Sequence, residues 1–216
     1  MRYPDFPIYC IITEEHALGR GSIRVAEELI EAGAKIIQYR EKYKSRPEKY
    51  SDCAAIRRMT LKNGVFFIVN DDIDIALEVQ ADGIHIGQED IPLVAARALV
   101  GDKFVIGVST HSPEQAKNAV NDGADYIGAG PVFPTRTKKG VCGAVGLEYI
   151  DFAVQNLSIP FVAIGGIKLH NLGMVIEHGA KQIAMVTEII GADNIGSKFA
   201  EILEVVKKSR RFPQFC

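Results

Sequence analysis

Short apolar runs rich in β-branched residues alternate along the chain with longer stretches of helical periodicity. Eight runs have the length of a strand, and they read IYCIIT, KIIQYR, VFFIVN, GIHIG, FVIGVS, YIGAG, FVAIGG and QIAMV. Between them lie stretches such as SPEQAKNAVNDGAD, which Ser112 and Pro113 open as N-cap and first helical residue. Apolar strands joined by helices indicate a parallel sheet, and eight such units favour a closed (β/α)₈ barrel, an α/β fold also called a TIM barrel.

The sequence predicts a single domain. Its 216 residues lie near the lower end of the size range of such barrels, and no long linker divides them. The phrases EAGAK, VQADG, NDGAD and EHGAK precede successive strands, and we expect a left-handed glycine to end the helix in each. We assign residues 1–216 to a single barrel, with residues 209–216 as a frayed basic tail.

Composition and charge exclude several classes of partner. Apolar residues make up 47%, charged residues 24%, and the formal net charge is −2. This balance gives no electrostatic reason to expect nucleic acid or a membrane surface, so anion recognition must come from a local site. We expect a cytoplasmic protein, because no targeting segment or long apolar run occurs and the cysteines form no C-x-x-C pair.

Polar residues follow the second predicted strand, at the barrel edge where active sites form. Gln38, Arg40 and Lys42 alternate in sequence, so they can share the barrel-facing side. Two cations beside an amide favour anion binding over simple filling of the barrel mouth.

Carboxylates follow the next two strands. The third strand ends in Asn70-Asp71-Asp72, and the fourth runs through His85 to Asp90. Carboxylates that converge from adjacent strands suit Mg²⁺, which binds through one or two of them together with substrate phosphates. Helix capping by Asp71 or Asp72 and solvation of Asp90 are the alternatives.

The loops after the last three strands predict phosphate binding. The sixth strand leads into GPVFPTRTKKGVCGAVG, which is long for such a connection and offers the hydroxyls and cations of Thr135, Arg136, Thr137, Lys138 and Lys139. The seventh strand ends in Gly165-Gly166 and the eighth in Met185-Val186-Thr187, where these barrels often hold a phosphate group. Tight turn packing is the alternative role of the glycines.

Histidines offer no obvious catalyst. His85 and His111 lie at or just past strand ends and can line the pocket, but neither has an evident nucleophile partner in the sequence. We interpret His16, His170 and His178 as packed or surface residues.

Six phrases together resemble thiamin phosphate synthases across nearly the whole chain. They are QYREK at 38–42, VNDDIDIAL at 69–77, ADGIHIGQED at 81–90, IGVSTHS at 106–112, DYIGAGPVFPTRTKKG at 125–140 and AIGGI at 163–167. The resemblance implies a Mg²⁺-dependent transferase that joins hydroxymethylpyrimidine diphosphate to hydroxyethylthiazole phosphate and releases diphosphate. It also implies a dissociative displacement, in which diphosphate leaves before the thiazole nitrogen attacks.

The resemblance assigns a role to each candidate residue. It implies that the pyrimidine and its diphosphate are held by Gln38, Arg40, Lys42, Asn70, Ser109 and Lys138. Of these, the catalytic contacts would be made by Arg40, Lys42, Ser109 and Lys138. It implies Asp71 and Asp90 as the metal ligands, and a thiazole phosphate cradle formed by Thr135, Arg136, Thr137, Gly166, Val186 and Thr187.

One departure and two rival functions accompany the resemblance. Glu188 follows Thr187 where the family more often has a small residue, and it puts a carboxylate near the expected phosphate. A related thiazole tautomerase shares the barrel, but the resemblance places its histidine where this chain has Pro131. A non-catalytic phosphate-binding barrel is the other alternative, and a homodimer is a further expectation.

Overall fold

A computed structural model of the protein describes residues 3–135, 137 and 143–211. Within those ranges eight parallel strands close into a barrel in chain order, with the last strand paired to the first, which confirms the predicted fold. The strands are β1 (Ile8–Ile12), β2 (Ile36–Tyr39), β3 (Phe66–Asn70), β4 (Gly83–Ile86), β5 (Val105–Thr110), β6 (Tyr126–Ala129), β7 (Phe161–Ile164) and β8 (Gln182–Ala184).

Helices follow the strands and surround the barrel. They are α1 (Ser22–Glu31), α2 (Arg46–Asn63), α3 (Ile73–Glu78), α4 (Leu93–Val100), α5 (Pro113–Asn121), α6 (Glu148–Asn156), α7 (Leu172–Glu177), α8 (Val186–Ile190) and α9 (Ile195–Arg211). A short 3₁₀ turn, Glu14–His16, precedes α1. Helix α9 continues into the segment expected to fray, and residues 212–216 lie outside the described ranges.

Side chains of the strands alternate between two apolar layers. One layer lies between the strands and the helices and includes Ile12, Ile37 and Phe67. The other forms the barrel interior and contains Tyr9, Ile11, Ile36, Ile68, Val105, Tyr126, Val162 and Ala184. Tyr3, which precedes β1, stacks on Tyr126 with ring centroids 4.4 Å apart. The interior is therefore packed towards the amino ends of the strands, which leaves polar groups at the opposite end.

Local signals at the helix ends explain most of the turns. Ser112 caps α5 by accepting a hydrogen bond from the Gln115 amide, as predicted. Left-handed glycines lie within three of the four repeated phrases, at Gly33, Gly123 and Gly179. The prediction is wrong for the fourth.

In the fourth phrase, VQADG, the left-handed residue is Gln80, at φ 55°. Gly83 lies inside β4, where a Cβ atom would stand 2.5 Å from the Val105 carbonyl oxygen. The glycine therefore permits close approach of two strands rather than ending the helix.

Two of the cysteines, Cys10 and Cys53, are free and buried. Burial raises the pKa of both thiols, so they pack as small apolar side chains. Cys142 and Cys216 lie outside the described residues. Among the described helices none combines the length and apolar character that crossing a membrane requires.

Candidate active site

The second strand presents the predicted polar series to the barrel mouth. Gln38 is 2% exposed, and Arg40 extends the ladder beyond β2 by donating its amide to the Ile12 carbonyl at 3.0 Å. Lys42 lies in the loop beyond and pairs with Asp71. Gln38, Arg40 and Lys42 all line one small cavity of about 110 Å³, so the expectation that they share a side agrees with their placement.

A buried carboxylate holds the start of this loop. Glu41 is 7% exposed, and its Oε1 accepts hydrogen bonds from the Glu14 amide at 2.6 Å and from the Ser22 hydroxyl at 3.1 Å. Burial raises the pKa of Glu41. Because Glu41 stands between Arg40 and Lys42, these bonds orient the two cations towards the barrel mouth.

Asp71 and Asp90 come together beside the same cavity. Asp71 has a left-handed backbone, φ 60°, and its amide donates to the His85 carbonyl at 2.9 Å. Burial raises the pKa of Asp71 and the neighbouring Asp90 raises it further, whereas Lys42 opposes both effects. One oxygen of Asp90 accepts the Gly87 amide at 2.6 Å.

The third carboxylate of this region faces elsewhere. Asp72 occupies the N-cap position of α3, but its side chain makes no capping hydrogen bond and pairs with Lys49 at 2.8 Å instead. Over the described ranges, no cluster of three or more His, Cys, Asp or Glu side chains could hold a metal ion. A cation at Asp71 and Asp90 would thus take its remaining ligands from substrate oxygens and water.

Asn70 and Ser109 complete the small cavity, and Ser109 has a partner that the sequence did not reveal. The Nε2 atom of His85 lies 3.0 Å from the Ser109 hydroxyl oxygen, so His85 has a serine partner that was not evident in the sequence. The two residues meet because β4 and β5 are paired, with His85 opposite Gly107 in the register. The other ring nitrogen of His85 faces the hydroxyl of Tyr126 at 2.9 Å and not a carboxylate, which is not the arrangement of a hydrolytic triad.

A larger cavity of about 680 Å³ opens where the loops after β6, β7 and β8 meet. The predicted phosphate-binding residues that line it are Thr135, Thr137, Gly166, Val186 and Thr187. Val186 and Thr187 begin α8 instead of ending β8. Arg136, Lys138 and Lys139 lie outside the described residues.

Two histidines interpreted as packed or surface residues also line this cavity. They are His16, whose Nε2 atom lies 3.2 Å from the Thr137 carbonyl oxygen, and His170. The 3₁₀ turn after β1 carries His16 to the cavity wall, and a turn of three residues is too short to show a period in the sequence.

The glycines at the end of β7 are required by packing. Gly165 and Gly166 have φ angles of 97° and 66°. A Cβ atom on Gly165 would lie 2.4 Å from the Pro131 side chain, and one on Gly166 would lie 2.7 Å from the Phe133 and Pro134 carbonyl oxygens. The packing alternative is therefore confirmed, and both glycines also line the large cavity.

The two cavities adjoin. Residues that line both are Ile11, Arg40, Ser109, Gly128, Ile164 and Ala184. Within the part of the chain that the structure describes, no carboxylate pairs with the Arg40 guanidinium. The barrel mouth thus offers two adjoining compartments, each lined by side chains that can donate hydrogen bonds to an anion, with the Arg40 guanidinium at their junction.

Comparison of the whole sequence with known proteins identifies the family of this chain. A family model described as thiamine monophosphate synthase matches residues 8–189. The chain belongs to the thiamine monophosphate synthase family. It is 55% identical to a thiamine-phosphate synthase of Pelotomaculum thermopropionicum, over 93% of this chain and 92% of the relative. Its identity to the thiamine-phosphate synthase of Dictyoglomus turgidum is 48%, over 94% of this chain and 91% of the relative.

A solved structure agrees with these relatives. It is the thiamine phosphate pyrophosphorylase from Pyrococcus furiosus, which superimposes with a TM-score of 0.85 at 33% identity and covers 94% of this chain and 96% of its own. The match therefore extends over nearly the whole of both chains.

Glu188, which puts a carboxylate near the expected phosphate site, has a charged partner in the structure. Glu188 is 3.2 Å from the Nζ atom of Lys168, which also donates to the Thr187 hydroxyl at 2.7 Å. The carboxylate therefore has its own cation at the wall of the large cavity. Sequence reasoning missed Lys168, although its place directly after the AIGGI phrase in the β7–α7 loop is the signal that could have found it.

Proposed function

We propose that the chain couples hydroxymethylpyrimidine diphosphate to hydroxyethylthiazole phosphate, giving thiamin phosphate and diphosphate. This proposal rests on the two adjoining compartments, one lined by Gln38 and Asp71 and the other by Thr135 and Thr187. Two anionic substrates that must react with each other need two such places with a shared boundary. The names of the relatives support the same reaction.

The pyrimidine would occupy the small compartment. Gln38 offers amide groups to the ring, and Arg40, Lys42 and Asn70 stand where a diphosphate attached to that ring would lie. Lys138 is assigned to the same diphosphate by the family resemblance alone. Cations that are already oriented stabilise charge on a departing group without reorganising, which is a large contribution to catalysis in many enzymes.

No general base is needed for this coupling. The attacking thiazole nitrogen carries no proton, so departure of diphosphate is the main barrier and the protein must orient two rings and neutralise charge. Ser109 stands at the boundary of the two compartments and can donate its hydroxyl to either substrate.

The carboxylate pair fits a divalent cation. Burial and the neighbouring Asp90 carboxylate raise the pKa of Asp71, since two negative charges stand close in a partly buried place. Hard oxygen donors of this kind would hold Mg²⁺, which when bound would neutralise charge on the diphosphate. The Lys42 ammonium group pairs with Asp71, where the cation would bind. Once a cation replaces it there, Lys42 would be free to contact the diphosphate.

The thiazole phosphate would occupy the large compartment, near the threonines and Lys168. Replacement of Lys168 by Met is expected to raise the KM for thiazole phosphate about 10- to 100-fold with little change in kcat, because a charge-assisted contact is lost and Glu188 is left unpaired. Steady-state kinetics with the pyrimidine substrate saturating measures both constants.

Two further variants make this prediction specific. The double variant K168M/E188Q should recover much of the lost affinity, since it also removes the unpaired carboxylate. Lys198→Met is the matched control, because Lys198 pairs with Glu201 on the outer helix α9 and should leave the KM unchanged. An unchanged KM in Lys168→Met would rule out the contact.

The proposed reaction is tested by incubating the purified protein with both substrates and Mg²⁺. Thiamin phosphate and diphosphate should form in equal amounts, and each should require both substrates. A tautomerase would convert the thiazole without the pyrimidine, and a non-catalytic phosphate-binding barrel would bind both substrates and return them intact. The cytoplasmic location and the homodimer stay predictions.

A further inference from the structure

A continuous chain of side-chain hydrogen bonds crosses the interior of the barrel. The Nε2 atom of Gln38 donates to the Tyr9 hydroxyl at 2.9 Å, and the hydroxyls of Tyr9 and Tyr126 lie 2.7 Å apart. Tyr126 then contacts Nδ1 of His85 at 2.9 Å, and Nε2 of His85 contacts the Ser109 hydroxyl at 3.0 Å. These five residues come from five strands, and all five line the small compartment, with Gln38 and Ser109 at the two ends of the hydrogen-bond chain.

The barrel leaves space for this hydrogen-bond chain at one glycine. A Cβ atom on Gly107 would lie 2.0 Å from the ring of Tyr126. Tyr126 is fully buried and His85 is 9% exposed. The absence of a side chain at Gly107 therefore gives the ring of Tyr126 its place beside His85 inside a closely packed barrel.

The chemistry of the linked groups gives the chain a direction. Each hydroxyl has one hydrogen to donate, and a neutral imidazole donates from one ring nitrogen and accepts at the other. If Gln38 donates to Tyr9, every later bond runs the same way, and Ser109 accepts from His85. A reversal partway would leave a buried donor facing a donor or an acceptor facing an acceptor, which is unfavourable in the interior.

The direction determines what the two ends offer to a ligand. With the amide of Gln38 donating into the chain, its Oε1 atom stays available as an acceptor and Ser109 keeps its hydroxyl hydrogen to donate. If the amide turns over, the whole chain reverses and both ends exchange these roles. The acceptor at Gln38 and the donor at Ser109 are thus linked through the three residues between them, Tyr9, Tyr126 and His85.

We infer that Tyr9, Tyr126 and His85 are positioning residues that set the donor and acceptor pattern of Gln38 and Ser109, and thereby select an aminopyrimidine over the corresponding oxopyrimidine. The inference rests on the proposed function, in which Gln38 contacts the pyrimidine ring. An amino group can donate to Oε1 of Gln38. An oxo group at the same place is an acceptor, and it would require the amide and the chain behind it to reverse.

Tyr126→Phe tests this selection because it removes one hydroxyl and keeps the ring that stacks on Tyr3. The Kd values of the aminopyrimidine and oxopyrimidine diphosphates are measured by calorimetry with Mg²⁺ and without the thiazole substrate. The wild-type preference for the amino compound should fall about tenfold in Tyr126→Phe, since the amide of Gln38 can then turn without reversing a chain. Tyr9→Phe breaks the chain at its neighbouring link and should have the same effect, which keeps the test available if one variant does not fold.

Tyr149→Phe is the matched control. The Tyr149 hydroxyl donates to the Thr110 side chain at 2.7 Å in an equally buried place, and burial raises its pKa to about 12, but it does not belong to the chain. This variant should keep the preference of the wild type. An equal loss of preference in Tyr149→Phe, or an undiminished preference in folded Tyr126→Phe and Tyr9→Phe, would overturn the inference.

A double-mutant cycle tests the link between the two ends. In the wild-type protein, Ser109→Ala should change the preference for the aminopyrimidine over the oxopyrimidine. In Tyr126→Phe the same substitution should change it much less, because the hydrogen-bond chain between Gln38 and Ser109 is already broken. Equal effects of Ser109→Ala in the two backgrounds would contradict the coupling. If the wild type binds neither pyrimidine compound, the proposed function itself fails; if it binds and couples the amino compound but these variants keep its preference, only this inference fails.

Discussion

Replacement of Asp71 or Asp90 by Asn is expected to lower kcat/KM by on the order of 100-fold or more, because Mg²⁺ and the charge it neutralises on diphosphate would be lost. EDTA should abolish the activity of the wild type, and added Mg²⁺ should restore it. Calorimetry should also show weaker binding of Mg²⁺ with diphosphate to both variants, which is a measurement independent of turnover.

Asp72→Asn is the control for this prediction. Asp72 is adjacent in sequence to Asp71 and equally a carboxylate, but it pairs with Lys49 and does not line the cavity. It should keep nearly full activity. Full activity of Asp71→Asn and Asp90→Asn, together with insensitivity to EDTA, would show that the reaction does not depend on a metal at this pair.

Replacement of Arg40 by Met should produce the other large effect, a fall in kcat of about 100- to 1,000-fold. Arg40 lines both compartments, and no described carboxylate occupies its guanidinium, so its charge is available to the departing diphosphate. Arg40→Lys should recover only part of the rate, since an ammonium lacks the planar fork that binds two phosphate oxygens.

Arg46→Met is the matched control for Arg40. Arg46 begins α2 on the surface and pairs with Asp74 and Glu78, so its loss should leave kcat unchanged. Rapid-quench measurement of diphosphate release in a single turnover compares the variants directly. A rate for Arg40→Met within about twofold of the wild type would exclude Arg40 from stabilising the leaving group.

The fold could be predicted because one physical rule repeats along the chain. Each β-branched run is buried on both faces, as Ile36 in the interior and Ile37 beneath the helices show. The same alternation placed Gln38 and Arg40 on the inner side. The turn at Gln80 was not predictable in this way, because a glycine required for close approach at Gly83 looks in sequence like one required by a turn.

The polar ends of single strands could be predicted, whereas partnerships between strands could not. The His85–Ser109 contact depends on the register of β4 against β5, and the Tyr9–Tyr126 contact joins strands far apart in sequence. Glu188 looked unfavourable by itself because its neutralising partner, Lys168, lies one barrel unit earlier. A sequence pattern shows which side chains face the mouth, but the closed barrel determines which of them touch.

We expect the two adjoining compartments to hold the two halves of the product. A crystal structure with thiamin phosphate, diphosphate and Mg²⁺ would show where each half lies. The pyrimidine ring should lie beside Gln38 with its amino group on the amide oxygen, diphosphate should contact Arg40, and the phosphate should lie by Thr187 and Lys168. Both rings in the large cavity, or diphosphate away from Arg40, would contradict the account.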